Sequence, residues 1–309
     1  MPGDALMTVA RDQKRWSQTA DQLKNSIQAG REQAFALAIV GAVLETAGAQ
    51  MHNIYAGIAV WLGYTGAAAL AVGGVIRQWK LGHEQTQAWV LARSASEALK
   101  REMYLFRTSS GPYASGNPDL TLLDRRDEVL TKAQPAQKFA AEIRGDLAVL
   151  GPLDATGYLN TRIEGEKGQI NYFNSHADQY AKTQKQFNAA QFGLAIFAAL
   201  LGAGLTAWGK QSSGAWIAVI TTISGAIAAH VLSERYDQLT VTYRATADRL
   251  TGAVARWKAS ANDTLSALVE TCEAVLLQEN QGWIAGADQN AVPAKQAAET
   301  SSTAKAISP

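Results

Sequence analysis

Four long stretches of the chain lack the alternation of polar and apolar positions that a water-facing element shows. Residues 34–50 read AFALAIVGAVLETAGAQ and residues 54–76 read IYAGIAVWLGYTGAAALAVGGVI, with Glu45 the one charged side chain in the two runs. Residues 189–208 (AAQFGLAIFAALLGAGLTAW) and 214–232 (GAWIAVITTISGAIAAHVL) hold no Asp, Glu, Lys or Arg at all. A helix that crosses a bilayer needs about 20 mostly apolar residues, within a range of roughly 17 to 25. The runs therefore predict two transmembrane helical hairpins. The competing reading is four buried helices of a water-soluble bundle, because the runs are rich in Ala and Gly and poor in Leu.

On either side of each hairpin the pattern changes to helical amphipathicity. Trp16, Ala20, Leu23 and Ile27 precede the first pair, and Phe173, Ala177, Tyr180 and Phe187 precede the second, all at three- to seven-residue steps. After the first pair come Trp89, Ala92, Leu99, Met103 and Phe106. After the second, a stripe from Leu239 through Tyr243, Leu250, Val254, Trp257, Leu265 and Leu268 to Cys272 would extend over 50 Å as one helix. Such stripes need partners, which predicts a helical bundle beside the membrane with Cys272 in its core.

Proline placement marks the boundaries, because Pro is absent from 3–111 and from 153–292. The expected organisation is a first unit at 8–111, a connector with short helices at 112–152, a second unit at 153–280 and a disordered tail at 281–309. Within the connector, SSGPYASGNPDL has the composition of a loop, and 120–132 and 136–150 are expected to form the short helices. The two units look duplicated: Ala20-Asp21-Gln22 recurs as Ala177-Asp178-Gln179, and Leu37-Ala38-Ile39 recurs at the same offset as Leu194-Ala195-Ile196. The fold class read from this is an all-α integral membrane protein of two duplicated units, each a hairpin continuing into long cytoplasmic helices.

Basic residues supply an orientation. Lys14, Arg15, Lys24 and Arg31 precede the first hairpin and Arg77 and Lys80 follow it; Lys182 and Lys185 precede the second and Arg235 follows it. The short turns hold only Lys210. The positive-inside rule then puts both termini and the connector in the cytoplasm, with Trp79, Trp208 and Trp216 at the interfaces.

Composition adds exclusions. Lys plus Arg (28) and Asp plus Glu (27) nearly cancel to +1, so there is no basic field to gather nucleic acid. One cysteine makes neither an intramolecular disulfide nor a cysteine-rich metal site. The mean hydropathy of −0.10 averages two populations, apolar spans and charged helices. Gly204 and Gly209-Lys210 have phosphate-loop spacing but are followed by Gln211 and flanked by apolar runs, which is the wrong context. His52, His83, His176 and His230 do not fall at metal-ligand spacing, and no Gly-x-Ser-x-Gly elbow occurs. The sequence carries no enzyme signature and implies no cofactor or metal.

The remaining candidates are charges in unusual places. An ionisable side chain inside a span faces a partner, a water path or the interface, so Glu45 is the candidate pore residue; its position five residues before Gln50 leaves the interface reading open, and its counterpart in the second unit is Gly202. Arg93 with Glu97, and Arg244 with Asp248, recur as i,i+4 pairs in the two units, either as an inter-helix network that includes Arg162 or as solvated faces.

The stretch Trp89-Val-Leu-Ala-Arg-Ser-Ala-Ser-Glu-Ala-Leu-Lys100, leading to Gly111-Pro112-Tyr113, resembles the bacterial SLATT group, the SMODS- and SLOG-associating two-transmembrane effectors. Tyr158-Leu-Asn-Thr-Arg162-Ile163, ahead of the second hairpin, resembles it too. The resemblance covers roughly residues 10–275 and implies a cytoplasmic-membrane effector of nucleotide-signal-linked defence that breaches the membrane when a sensor partner is activated. This chain has no recognisable sensor domain, so any sensing would lie in a partner. Three readings follow: an oligomeric pore-forming or membrane-disrupting effector; a non-conducting membrane scaffold whose bundle recruits partners; and a membrane enzyme with a pocket gathering Arg107, Tyr113, Arg125 and Arg162.

Overall fold

The computed structural model describes residues 4–52, 55–147, 150–208, 214–260 and 262–282, and among these no strand occurs. Helix α1 (Asp4–Met51) fuses the first amphipathic stripe and the first apolar run into one element about 72 Å long. It is followed by α2 (Ala56–Lys80), α3 (His83–Arg107), α4 (Pro118–Ala133), a short α5 (Ala155–Tyr158) that passes into a π-turn (Leu159–Ile163), α6 (Gln169–Trp208), α7 (Gly214–Glu234) and α8 (Tyr236–Ala259). A last helix, α9, spans 265–282. Helices α1, α2 and the Gln169–Gly204 part of α6 are long and apolar enough to cross a membrane.

The chain divides into two compact units. One comprises Met1–Asn25, His83–Asn174 and Arg244–Pro309; the other comprises Ser26–Gly82 and Ser175–Tyr243. The compact units therefore do not follow the expected N-terminal and C-terminal halves: each takes segments from both, and the apolar runs of both halves fall in the second unit together with the adjoining turns of their amphipathic helices.

The first unit is a conventional helical core. Trp16, Leu99 and Leu250 of the predicted apolar stripes are buried in it, together with Leu122, Tyr158 and Val269, which those stripes did not include. Local signals set its helix ends. The Asn117 side chain accepts the Leu120 backbone N–H at the start of α4, with Pro118 next, and Asp154 accepts the Gly157 N–H ahead of α5. The expected helix over 136–150 does not form. A 3₁₀ turn (Gln134–Phe139) gives way to non-helical chain from 140, which lies along α1 on side-chain hydrogen bonds: Thr19 accepts the Ala141 N–H, Gln18 both accepts from and donates to the Arg144 backbone, and Lys14 donates to the Gly145 and Asp146 carbonyls. Those bonds replace the ones a helix would have made. The long stripe from Leu239 to Cys272 is likewise two helices, broken at Ser260 and restarted where the Thr264 hydroxyl accepts the Ala267 N–H.

In the second unit, the contact between α1 and α2 reverses the usual distribution of side-chain sizes, although Val219, Ile220 and Ile227 of α7 are buried. Where α1 and α2 pack, the buried positions are Ala34, Gly41 and Gly48 on α1 and Ala59, Gly66 and Gly73 on α2, each series at seven-residue steps. This antiparallel seam is so close that a Cβ on Gly66 would lie 2.9 Å from the Glu45 backbone nitrogen and 3.0 Å from the Gly41 carbonyl oxygen. Large apolar side chains point away from it, with Trp61 71% and Tyr64 68% exposed on α2 and Phe192 69% and Leu200 67% exposed on α6. The hydroxyls of Thr65 and Thr221 bond back to the carbonyls one turn earlier.

Candidate functional site

Among the described residues of the first unit, the two most deeply buried charges, Arg162 and Glu273, meet each other. The π-turn places the arginine: Leu159, Arg162 and Ile163 are all buried, so the guanidinium is carried into the core on an apolar face. The exit from the turn needs Gly165, where a Cβ would overlap the Asn160 carbonyl. Arg162 meets Glu273 of α9 as a two-pronged pair, Nε to Oε1 at 2.9 Å and Nη2 to Oε2 at 3.0 Å, with side chains 2% and 0% exposed. This is the fork geometry that makes a guanidinium–carboxylate pair strong.

The surroundings complete the coordination. Tyr158 donates its hydroxyl to Glu273 Oε1 at 3.1 Å, the Arg162 guanidinium lies 4.9 Å from the Tyr104 ring centroid, and Glu97 approaches Arg162 at 4.0 Å while pairing with Lys100 at 2.9 Å. Burial alone would raise Glu97, but Lys100, Arg162 and Arg93 together outweigh it and hold the carboxyl below the usual carboxylate range. Burial, and then Glu273, push the Tyr158 hydroxyl far up, so it stays a donor. The same causes push the Cys272 thiol up to about 12, which keeps it unreactive in the fold. A cavity of about 20 Å³ beside the pair is lined by Glu97, Arg101, Arg162, Glu273 and Asn280, room for one water.

Of the predicted network, the structure brings Arg162 and Glu97 together. Arg93 reaches Glu279 on α9 at 3.7 Å, an ion pair between helices. Arg244 and Asp248 occupy exposed positions on α8. Glu273 was not among the predicted residues, although it sits between Cys272 and Leu276 on a buried stripe, where an acid needs a buried partner.

Gly111-Pro112-Tyr113 is a helix-end lock. Gly111 has φ +57, Pro112 opens a 3₁₀ turn, and the buried Tyr113 donates to Glu102 of α3 at 2.6 Å. The Gly111 N–H also donates to Ser266 on α9. The four residues expected to share a pocket in a membrane enzyme make separate hydrogen bonds and ion pairs, although Arg107 and Arg162 both approach the Tyr104 ring: Tyr113 bonds Glu102, Arg162 bonds Glu273, Arg125 pairs with Glu128, and Arg107 donates to the Gly151 carbonyl.

In the second unit, Glu45 is exposed with its Cγ against Gly66. The seam sets its level. A Cβ on Gly66 would meet Glu45 as well as Gly41, so Glu45 lies at the level of Gly66, between Trp61 and Trp79 along α2. Trp61 and Trp79, the latter 74% exposed, are about 27 Å apart along α2, close to the thickness of a hydrocarbon core.

Residues 158–283, which hold Arg162, α6 to α8 and Glu273, match the family model described as SMODS and SLOG-associating 2TM effector domain 1. The chain carries a SLATT-type domain. The first hairpin falls in a second match, over residues 14–119, to a family described as a protein of unknown function (DUF4231). The Trp89–Tyr113 stretch thus lies in the second match and the Tyr158–Ile163 stretch in the first. No curated protein and no solved structure matches the chain.

Gly204 of the phosphate-loop spacing is described, whereas Gly209 and Lys210 lie outside the described residues, as does the expected tail from 283 on.

Proposed function

We propose that this SLATT-type protein is a bacterial inner-membrane effector of nucleotide-signal-linked defence. Several copies would assemble their duplicated hairpins into a pore or disruptive patch, with both termini in the cytoplasm and a signalling partner as the trigger. The observation that carries this reading is the reversed size distribution at the contact between α1 and α2: small residues inside the seam, large apolar and aromatic residues outside. In water an exposed surface of that kind aggregates; in a bilayer it is the ordinary arrangement, since close helix packing there relies on small residues and not on hydrophobic burial. The fourth apolar run, α7, completes the second hairpin in this reading. The effector designation of the matched family supports the defence role.

In this reading Glu45, packed against Gly66 between the aromatic residues Trp61 and Trp79, faces the path on the outer side of the span. A ring of such carboxylates in an oligomer favours cations. The test is dye release from vesicles carrying the purified full chain, together with membrane depolarisation on induced expression. Membrane insertion with intact vesicles and polarised cells, under every trigger tried, would leave a non-conducting scaffold instead.

A further inference from the structure

Within the second unit, the two hairpins touch through two pairs of side chains one helical turn apart. Arg31 and Phe35 are i,i+4 neighbours on α1, and His230 and Glu234 are i,i+4 neighbours on α7. Arg31 pairs with Glu234 at 2.9 Å, and Phe35 stacks on His230 with ring centroids 4.9 Å apart and planes 25° apart. The two contacts run in antiparallel register, at the end of the spans where the basic residues gather. Phe187 of α6 closes on the other side of His230 at 5.2 Å. The imidazole is therefore held between the first hairpin and its own.

The placement of Glu234 is unfavourable on its own. It is the last residue of α7, where a carboxylate faces the partial negative charge of the helix C-terminus. Arg31 offsets that. The next residue, Arg235, has φ +52, a left-handed conformation that costs a bulky side chain and that here interrupts the path from α7 into α8. An unfavourable charge and a strained backbone thus adjoin the turn that carries these two contacts.

We infer that Arg31–Glu234 and Phe35–His230 form a clasp that holds the two hairpins in the resting arrangement, and that release of this clasp, with Arg235 as the hinge between α7 and α8, opens the path through the membrane. The inference rests on the membrane-breach reading above. It predicts a bistable element biased by four side chains, none of which is in the α1–α2 seam.

The experiment uses the full chain in phosphatidylethanolamine–phosphatidylglycerol vesicles loaded with a self-quenched dye. Arg31→Glu and Glu234→Arg each bring like charges together and are expected to raise the leakage rate by about tenfold or more at equal inserted protein, while the exchange R31E/E234R returns it to within about twofold. A second arm carries Phe35→Cys and His230→Cys with Cys272→Ala, bridged by a bis-methanethiosulfonate reagent. Bridging should suppress leakage and reductant should restore it. If the single exchanges leak like the unaltered chain, or bridged and released protein leak alike, the clasp is not a gate, although membrane breach stands. If no chain leaks, altered or not, membrane breach falls and the gate with it.

Discussion

Replacing Arg162 by Met should open the first unit to solvent far more often than its single altered side chain suggests. Arg162 and Glu273 are 2% and 0% exposed and joined by two hydrogen bonds, so removing the cation leaves a carboxylate in the core with only Tyr158 to bond it. Breaking a buried pair from one side costs about 3–5 kcal/mol, because the stranded charge has lost both water and partner. At 1.4 kcal/mol per factor of ten, the open population rises by roughly two to three and a half orders of magnitude. Cys272 is the natural reporter: it is the only cysteine, it is buried, and it is next to Glu273. Its alkylation by a maleimide, measured by mass spectrometry on the full chain in detergent at pH 7, should accelerate by that factor in Arg162→Met and in Glu273→Leu. The double replacement R162M/E273L removes both charges and should fall back toward the unaltered rate. Alkylation in Arg162→Met within about threefold of the unaltered chain would refute the argument that the pair is buried and coupled.

Three further outcomes are expected. Gly66→Leu meets backbone atoms of α1 that cannot move aside, so the hairpin should lose about 1–3 kcal/mol or splay, read as a lower unfolding temperature in detergent, whereas Gly74→Leu, which faces open space, should be tolerated. Glu45→Gln should lower the cation preference of the leak without abolishing it, measured as a reversal potential across a planar bilayer in a salt gradient. Tyr158 and Cys272 have folded pKa values above their unfolded ones, so the stability they contribute is fully present below about pH 9 and is lost as pH rises beyond it; Glu97, held low, contributes stability that is lost as pH falls below the carboxylate range. Unfolding followed by tyrosinate absorbance should therefore show an alkaline limb that Tyr158→Phe shifts upward.

The helices were legible because their causes are local: charge-free runs, three- and four-residue stripes, and proline and glycine at the connector. What the sequence hid depends on contacts between distant segments. The segment after Phe139 looks helical until Lys14, Gln18 and Thr19 bind its backbone. Gly41, Gly48, Gly66 and Gly73 were visible at seven-residue spacing, but Ala38–Ala42 and similar pairs in the same Ala-rich runs are equally visible, and only packing distinguishes the two sets. Arg162 could be suspected from its neighbours Leu159 and Ile163; its partner Glu273 could not, since nothing near either residue in the chain points to the other. The division into units shows the same limit, because proline spacing reads order along the chain and the apolar runs of both halves collect by chemistry.

The most direct test of the central proposal is release of a small dye from phosphatidylethanolamine–phosphatidylglycerol vesicles by the full chain, with insertion verified by protease protection of the turns. The proposed function predicts release that grows steeply with protein density, as assembly requires. Vesicles that stay sealed at every density with the hairpins fully inserted would contradict it.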